Sequence, residues 1–187
     1  MSDADDWVLV ARAREGDMQA FAALVRRYQS PIIHFCQRMC GSLPDAEDLA
    51  QEAFVRLHRH LDRLQPNARF STVIFGIARN LTLNHLRDSG RRGRGKTDQL
   101  ENVSVALPAA SRPDALARVS EMEGLVARGI EKLSEEHREV LLLRDVQGLD
   151  YDTIAAVVRC EKGTVKSRLS RAREQLRNIL LEMGALA

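Results

Sequence analysis

Aromatic residues are scarce in this chain: one tryptophan, two tyrosines and five phenylalanines supply 4% of its 187 residues. An aromatic-lined pocket for a flat ligand is hard to build from so few. Cysteine is rarer still, at three residues, which argues against a disulfide framework. No apolar run approaches the ~20 residues that a membrane-crossing helix needs, so no membrane insertion is expected. The opening acids Asp3, Asp5 and Asp6 are the reverse of a secretion signal's basic start, and a cytoplasmic location is the expectation. There is no P-loop glycine motif, nucleophile elbow or paired catalytic His/Glu arrangement, so neither an enzyme nor a cofactor is expected. Net charge is only +2, and any charged binding surface must therefore be local.

One such surface stands out. From Arg159 to Arg177 there are seven Lys/Arg against two Glu. At 100° per residue, Val165, Leu169, Ala172 and Leu176 fall on one apolar stripe. Ser167, Ser170 and Arg171 point the other way, with Lys166, Arg168 and Arg173 on the flanks. Such a helix can read base edges while neutralising phosphates; the alternative is a solvated basic face. Just upstream, Gly148 ends one segment and Asp150 is a candidate N-cap for a short helix with apolar Ile154, Ala155 and Val158. A tight break at 159–161 joins the two. Two short helices, the second one basic, form a helix-turn-helix.

The remaining chain is rich in aliphatic helix formers, 44% hydrophobic overall, and reads as all-α. Asp17 caps a helix through Phe21, Leu24, Val25 and Tyr28, and Pro31 starts the next, which ends at Gly41. Over 45–57, Ala46, Leu49, Ala50, Ala53, Phe54 and Leu57 recur with helical period, leaving Asp48, Gln51, Glu52 and Arg56 outside. Residues 70–87 form another long helix, with Ile74, Ile77, Ala78, Leu81 and His85 inside. Its opposite face, Val73, Gly76, Asn80, Leu83 and Arg87, suits a surface that meets something. From Ser89 to about Arg118 the helical period fails amid Gly, Arg, Ser and two prolines, Pro108 and Pro113, which reads as a linker. Its first cations, Arg91, Arg92, Arg94 and Lys96, would be drawn to a nucleic-acid backbone. The boundaries are set at 1–92, a linker over 93–118, and 119–187. Cys36 and Cys40, one helical turn apart, continue the apolar stripe of Ile33 and read as small core residues rather than a metal or redox pair.

Three segments in this order, DAEDLAQEAFVRLHRHL (45–61), FSTVIFGIARN (70–80) and LDYDTIAAVVRCEKGTVKSRLSRAREQL (149–176), make the chain resemble a bacterial RNA polymerase sigma factor of the extracytoplasmic-function group. The resemblance implies two small helical domains, region 2 and region 4, that bind core RNA polymerase and promoter DNA under the control of an anti-sigma factor wedged between or wrapped around them. It assigns polymerase docking to Asp45, Asp48, Gln51, Glu52 and Arg56. It places the loop 64–70 where the family captures a flipped base of the −10 element, and so implicates Leu64, Asn67, Arg69, Phe70, Val73, Arg79, Asn80 and Arg87 in −10 contacts. Reading of the −35 element falls to Lys162, Thr164, Lys166, Ser167, Arg168, Ser170, Arg171 and Arg173. The chain departs from the family pattern at Val73, where Trp is common, at Asn84, where Asp is frequent, and at Arg159, Glu161 and Lys162, which replace Gly, Pro and Val around the turn.

The linker suits this reading. Elements two helical turns apart lie roughly 70 Å from one another at ~34–36 Å per turn. Some thirty residues at ~3.3–3.6 Å each extend to about 100 Å, enough to let both domains engage at once and gain from their high effective concentration. The nearest rival is a two-domain transcription regulator, which would need a sensor or receiver domain in place of the strand-free N-terminal half.

Overall fold

Capping residues decide where the helices begin and end. The computed structural model describes residues 3–91 and 113–185. The first helix, α1 (Asp3–Arg14), is followed by Asp17, whose Oδ1 accepts the backbone N–H groups of Gln19 and Ala20 at 2.9 and 3.1 Å and opens α2 (Met18–Cys40). Gly41 closes α2 in the left-handed region at φ 79°, where a glycine is free of Cβ strain. Ser42 and Pro44 then open α3 (Leu43–Arg59), the proline sitting in the first turn where its missing N–H has no partner to lose. A short 3-10 turn (Leu61–Arg63) and an irregular stretch lead into α4 (Phe70–Arg91). The later elements are α5 (Pro113–Glu131), α6 (Glu135–Leu141) with a π turn over Leu142–Val146, α7 (Tyr151–Val158) and α8 (Lys162–Glu182). The described residues contain no strand, as the all-α expectation requires.

Two expectations are corrected. Pro31 does not open a helix; α2 runs through it. The proline removes one backbone donor, but Ile32, Phe35 and Cys36 just beyond it are wholly buried, and tertiary packing outweighs the local cost. Residues 113–118, read as the end of the linker, are the first turns of α5, with Pro113 at the position where proline starts rather than stops a helix. Residues 92–112, including Arg92, Arg94 and Lys96 of the basic cluster, lie outside the described residues.

The chain folds as two helical units that meet. In the first, α2 packs on α1, α3 and α4; in the second, α8 packs on α5, α6 and α7. The approach of α5 to α8 is close at Gly129, where a Cβ would lie 2.8 Å from Leu176 Cδ1. The units join chiefly through α4 and α7, and their buried side chains form one continuous core. Arg138 of α6 adds a polar fastening. It donates to the carbonyls of Ile130, in the last turn of α5, and Leu133, just past it, at 3.1 and 3.0 Å, and to Met39 at the end of α2 at 3.0 Å. A guanidinium thus supplies donors that helix C-terminal carbonyls otherwise lack. No helix among the described residues is long and apolar enough to cross a membrane.

At the head of α7, Asp150 Oδ1 accepts the Thr153 N–H at 2.9 Å. That bond, aided by the same residue's hydroxyl and by Arg69, holds the Asp150 carboxyl below its ordinary range. Because the folded value is depressed, the cap's contribution is present above the ordinary carboxylate pKa and is lost as pH falls through the depressed one. Asp150→Ala should therefore cost about 1 kcal/mol at neutral pH. The deficit should shrink on acidification, and Asp150→Asn should restore most of it, as read by thermal denaturation across a pH series.

Candidate nucleic-acid interface

The two helices of the C-terminal motif are held by apolar contacts on one side and display polar groups on the other. Val165, Leu169 and Ala172 are buried, whereas Lys166, Ser167, Ser170 and Arg171 are exposed. Burial of each such Val or Leu contributes roughly 1.5–3 kcal/mol, which fixes the rotation of α8 about its axis. The turn between α7 and α8 passes through Arg159 at φ 59°, in the left-handed region that favours glycine. Lys166 Nζ lies over the Tyr151 ring at 6.0 Å, and Ser167 Oγ donates to the Thr164 carbonyl at 3.0 Å.

Several cations of this face are engaged by carboxylates. Lys162 pairs with Asp152 at 2.7 Å, and Arg173 with Asp145 through two bonds of 3.0 and 2.5 Å. Arg168 reaches Glu136 at 2.9 Å and lies 3.9 Å from Glu139. Arg171 is exposed and makes no ion pair among the described residues. It stands at the centre of the outward face.

The second cluster is built on α4 and the stretch before it. Residues 65–69 are exposed and belong to no regular helix. Asn67 and Arg87 are exposed, Leu64, Val73 and Asn80 half-buried, and Arg69 bonds to Asp150 of the helix-turn-helix. Phe70, named among the contact candidates, is instead a core residue with no exposed surface. It meets the Trp7 ring edge-on at 6.1 Å and the Tyr28 ring at 5.2 Å. Its place at the start of α4, on the inward stripe, accounts for the difference. Helix α4 packs on α7; of its mixed face, Val73, Gly76, Asn80 and Leu83 are half-buried and Arg87 is exposed.

Between the clusters sits a group that periodicity did not single out. Glu139 is 2% exposed and accepts two bonds from Arg79, Nε to Oε2 at 2.6 Å and a terminal nitrogen to Oε1 at 3.1 Å. Burial pushes its carboxyl above the ordinary range, against the opposite pull of Arg79 and Arg168. No local signal marked it, since it closes the charged run Glu135, Glu136, His137 and Arg138 and precedes the apolar Val140, Leu141, Leu142 and Leu143. The sequence-predicted candidates Arg79 and Arg168, 89 positions apart in the chain, thus face one carboxylate.

The third set lies on α3. Asp48, Gln51 and Arg56 are exposed, and Arg56 pairs with the half-buried Glu52 at 2.7 Å; Asp45 lies 3.5 Å from His85. Beside this face runs an apolar groove of about 620 Å³ between α2 and α3, with Phe21, Val25, Ile33, Phe54 and Val55 among its lining. Sequence periodicity missed it, because those residues count equally well as ordinary core.

Comparison with known proteins fits this layout. Residues 24–92 match the family model of sigma-70 region 2, and residues 124–176 that of sigma-70 region 4. Region 2 followed by region 4 on a short chain is the arrangement of a compact class of transcription initiation factors. The chain is 39% identical to the ECF RNA polymerase sigma-E factor of Escherichia coli K12 over 92% of its own length and 93% of that protein's. It is 35% identical to the RNA polymerase sigma-H factor of Pseudomonas aeruginosa, over 94% of each. Among solved structures it resembles CnrH in complex with the cytosolic domain of CnrY, at 26% identity and TM-score 0.69 over 94% of this chain and 97% of that one. It also shares the fold of the sigma factor RpoE in complex with the anti-sigma factor NepR from Bartonella quintana, at 23% identity and TM-score 0.70 over 86% and 96%. The chain belongs to the extracytoplasmic-function group of RNA polymerase sigma factors, which bind core RNA polymerase and direct it to promoters.

The described residues contain no group of three or more His, Cys, Asp or Glu that could hold a metal ion. Cys36 is buried, with Thr82 Oγ1 3.3 Å from its sulfur, and burial pushes its thiol up to about 11; Cys40 is raised by burial as well. A thiol so far above neutrality presents almost no thiolate. Timed alkylation at neutral pH, followed by mass spectrometry, should label the half-exposed Cys160 first and Cys36 only on unfolding. Equal labelling rates would show that the α2–α4 core opens.

Proposed function

We propose that the chain reads the −35 element with the exposed face of α8 and the −10 element with loop 64–70 and the adjoining outer positions of α4. The observation that carries this reading is the orientation of α8, whose buried Val165, Leu169 and Ala172 leave Ser167, Ser170 and Arg171 facing outward. Arg171 is long enough for a bidentate guanine contact. Lys162, Thr164, Lys166, Arg168 and Arg173 position the helix, chiefly on phosphates. On the −10 side, Leu64, Asn67 and Arg69 shape the base-capturing loop, with Phe70 supporting it from the core, and Val73, Arg79, Asn80 and Arg87 follow along α4. Asp45, Asp48, Gln51, Glu52 and Arg56 of α3 dock on polymerase. The functional units are 1–92 and the unit that opens with α5 at Pro113. The protein performs no catalysis itself and acts in the cytoplasm beside core polymerase.

In this reading the observed arrangement is the form off DNA. Arg79 and Arg168 share the Glu139 carboxylate, yet the elements they serve lie roughly 70 Å apart on a promoter. Glu139 and Asp150 therefore occupy cations that phosphates would otherwise attract, and the units must part before both elements are bound. An anti-sigma factor would act by favouring the closed form. The Bartonella quintana sigma factor was solved with such a partner, which is the precedent for proposing one here.

Purified chain with core polymerase should give specific run-off transcripts from a genomic promoter library; their absence with folded protein would overturn the reading. Within that system, Arg171→Ala should cost ~1–3 kcal/mol in promoter affinity and relax preference at one −35 position. Lys166→Ala should weaken all sequences alike and reduce the salt slope by about one. Equal, sequence-independent losses for both would place −35 selection elsewhere.

Replacing Asp48 and Glu52 together by Lys should weaken holoenzyme formation and leave circular dichroism unchanged. Unaltered affinity for core polymerase would make the α3 face a solvated surface only.

A further inference from the structure

The stretch between the 3-10 turn and α4 is anchored at both ends by a helix that no part of the sigma-70 region 2 match covers, since that match begins at residue 24. At the start, Arg14 Nε donates to the Leu61 carbonyl at 2.8 Å, and a terminal nitrogen of the same guanidinium donates to the Leu64 carbonyl. At the end, Trp7 Nε1 donates to the Ala68 carbonyl at 3.1 Å, and the Trp7 ring stands edge-on to Phe70 at 6.1 Å. Both residues belong to α1, seven positions apart.

The helix that carries these groups is itself fixed. Val10 is buried, and Asp6, 3% exposed, accepts a hydrogen bond from Tyr28 Oη at 2.6 Å and pairs with Arg27. Two α2 side chains therefore hold α1, and α1 in turn holds the loop. Between the anchors, residues 65–68 have no helical bonding of their own. A loop that must receive one extruded base and reject others has to keep its shape in the absence of DNA. One guanidinium spanning two carbonyls three residues apart, plus an indole N–H four residues further on, fixes both the entry and the exit of that loop.

We infer that Trp7 and Arg14 are positioning residues for base selection at the −10 element, acting through the backbone of residues 61–68. The inference rests on the reading of 64–70 as the base-capturing loop. Trp7→Phe keeps a ring against Phe70 and removes only the N–H. Arg14→Lys keeps the charge and removes the two-pronged geometry.

The test uses holoenzyme made from the full chain and core polymerase, presented with single-stranded oligonucleotides randomised across the −10 positions. The selected pool is sequenced, and affinities for core polymerase and for duplex −35 DNA are measured alongside. Each variant should lower enrichment of the captured base by about tenfold, a moderate share of what one specific base contact contributes. Affinity for core and for the −35 duplex should be unchanged, a split that general loss of stability would not produce. Unchanged enrichment in both variants overturns the inference. Asn67→Ala separates the layers. If it alters base enrichment and the α1 variants do not, only the role of α1 falls; if it too has no effect, the loop reading falls and the inference with it.

Discussion

The closed arrangement turns on a carboxylate placed where water does not reach. Removing Glu139 from solvent costs several kcal/mol unless its oxygens are matched in the interior. The partners come from two directions: Arg79 arrives from α4 of the first unit with two bonds, and Arg168 from α8 of the second. Neither unit alone completes that set. Its neighbour Arg138 obeys the same constraint in reverse, a half-buried cation satisfied by carbonyls at the ends of α2 and α5. Two adjacent residues of one short helix thus carry much of the polar specificity of the junction, while the apolar contact of α4 with α7 supplies area.

An interface fastened in this way differs from one that is merely greasy. Apolar surfaces parted in water leave both faces without a substitute partner. Arginines released from a carboxylate can bond equally well to phosphate oxygens, which offer the same planar pairing. Across the junction, Arg69 and Arg79 of the first unit engage Asp150 and Glu139 of the second, while Lys162, Arg168 and Arg173 hold carboxylates within the second unit. In the proposed reading, moving onto a promoter exchanges one set of anionic oxygens for another, so the opening cost is offset contact by contact.

What the sequence made legible was local. The cap at Asp150, the stop at Gly41, the stripe of α3 and the rotation of α8 all depend on residues within a turn or two of each other, and each matches the structure. So does the outward placement of Arg171, which needs only helical period. What escaped was decided at long range. Pro31 is carried through α2 by core packing; Phe70, by contrast, shares the inward stripe of Ile74 and Ala78, so helical period alone would have set it inside. The partner of Arg79 lies 60 residues away and that of Arg69 lies 81. Periodicity can say which residues face outward from a helix, but not whether another part of the chain stands opposite.

Arg159 illustrates how much slack the fold holds. A residue with a Cβ at φ 59° costs about 1–2 kcal/mol relative to ordinary helical backbone, a strain glycine would escape. The side chain is exposed and sits where α7 presents its terminal carbonyls, whose partial negative charge a guanidinium favours. The corner thus keeps a cation at the cost of backbone ease. A motif that tolerates this has stability in reserve, and one codon at the turn gives evolution a dial between a stiffer corner and a more positive one, with the side chains of α8 left where they are.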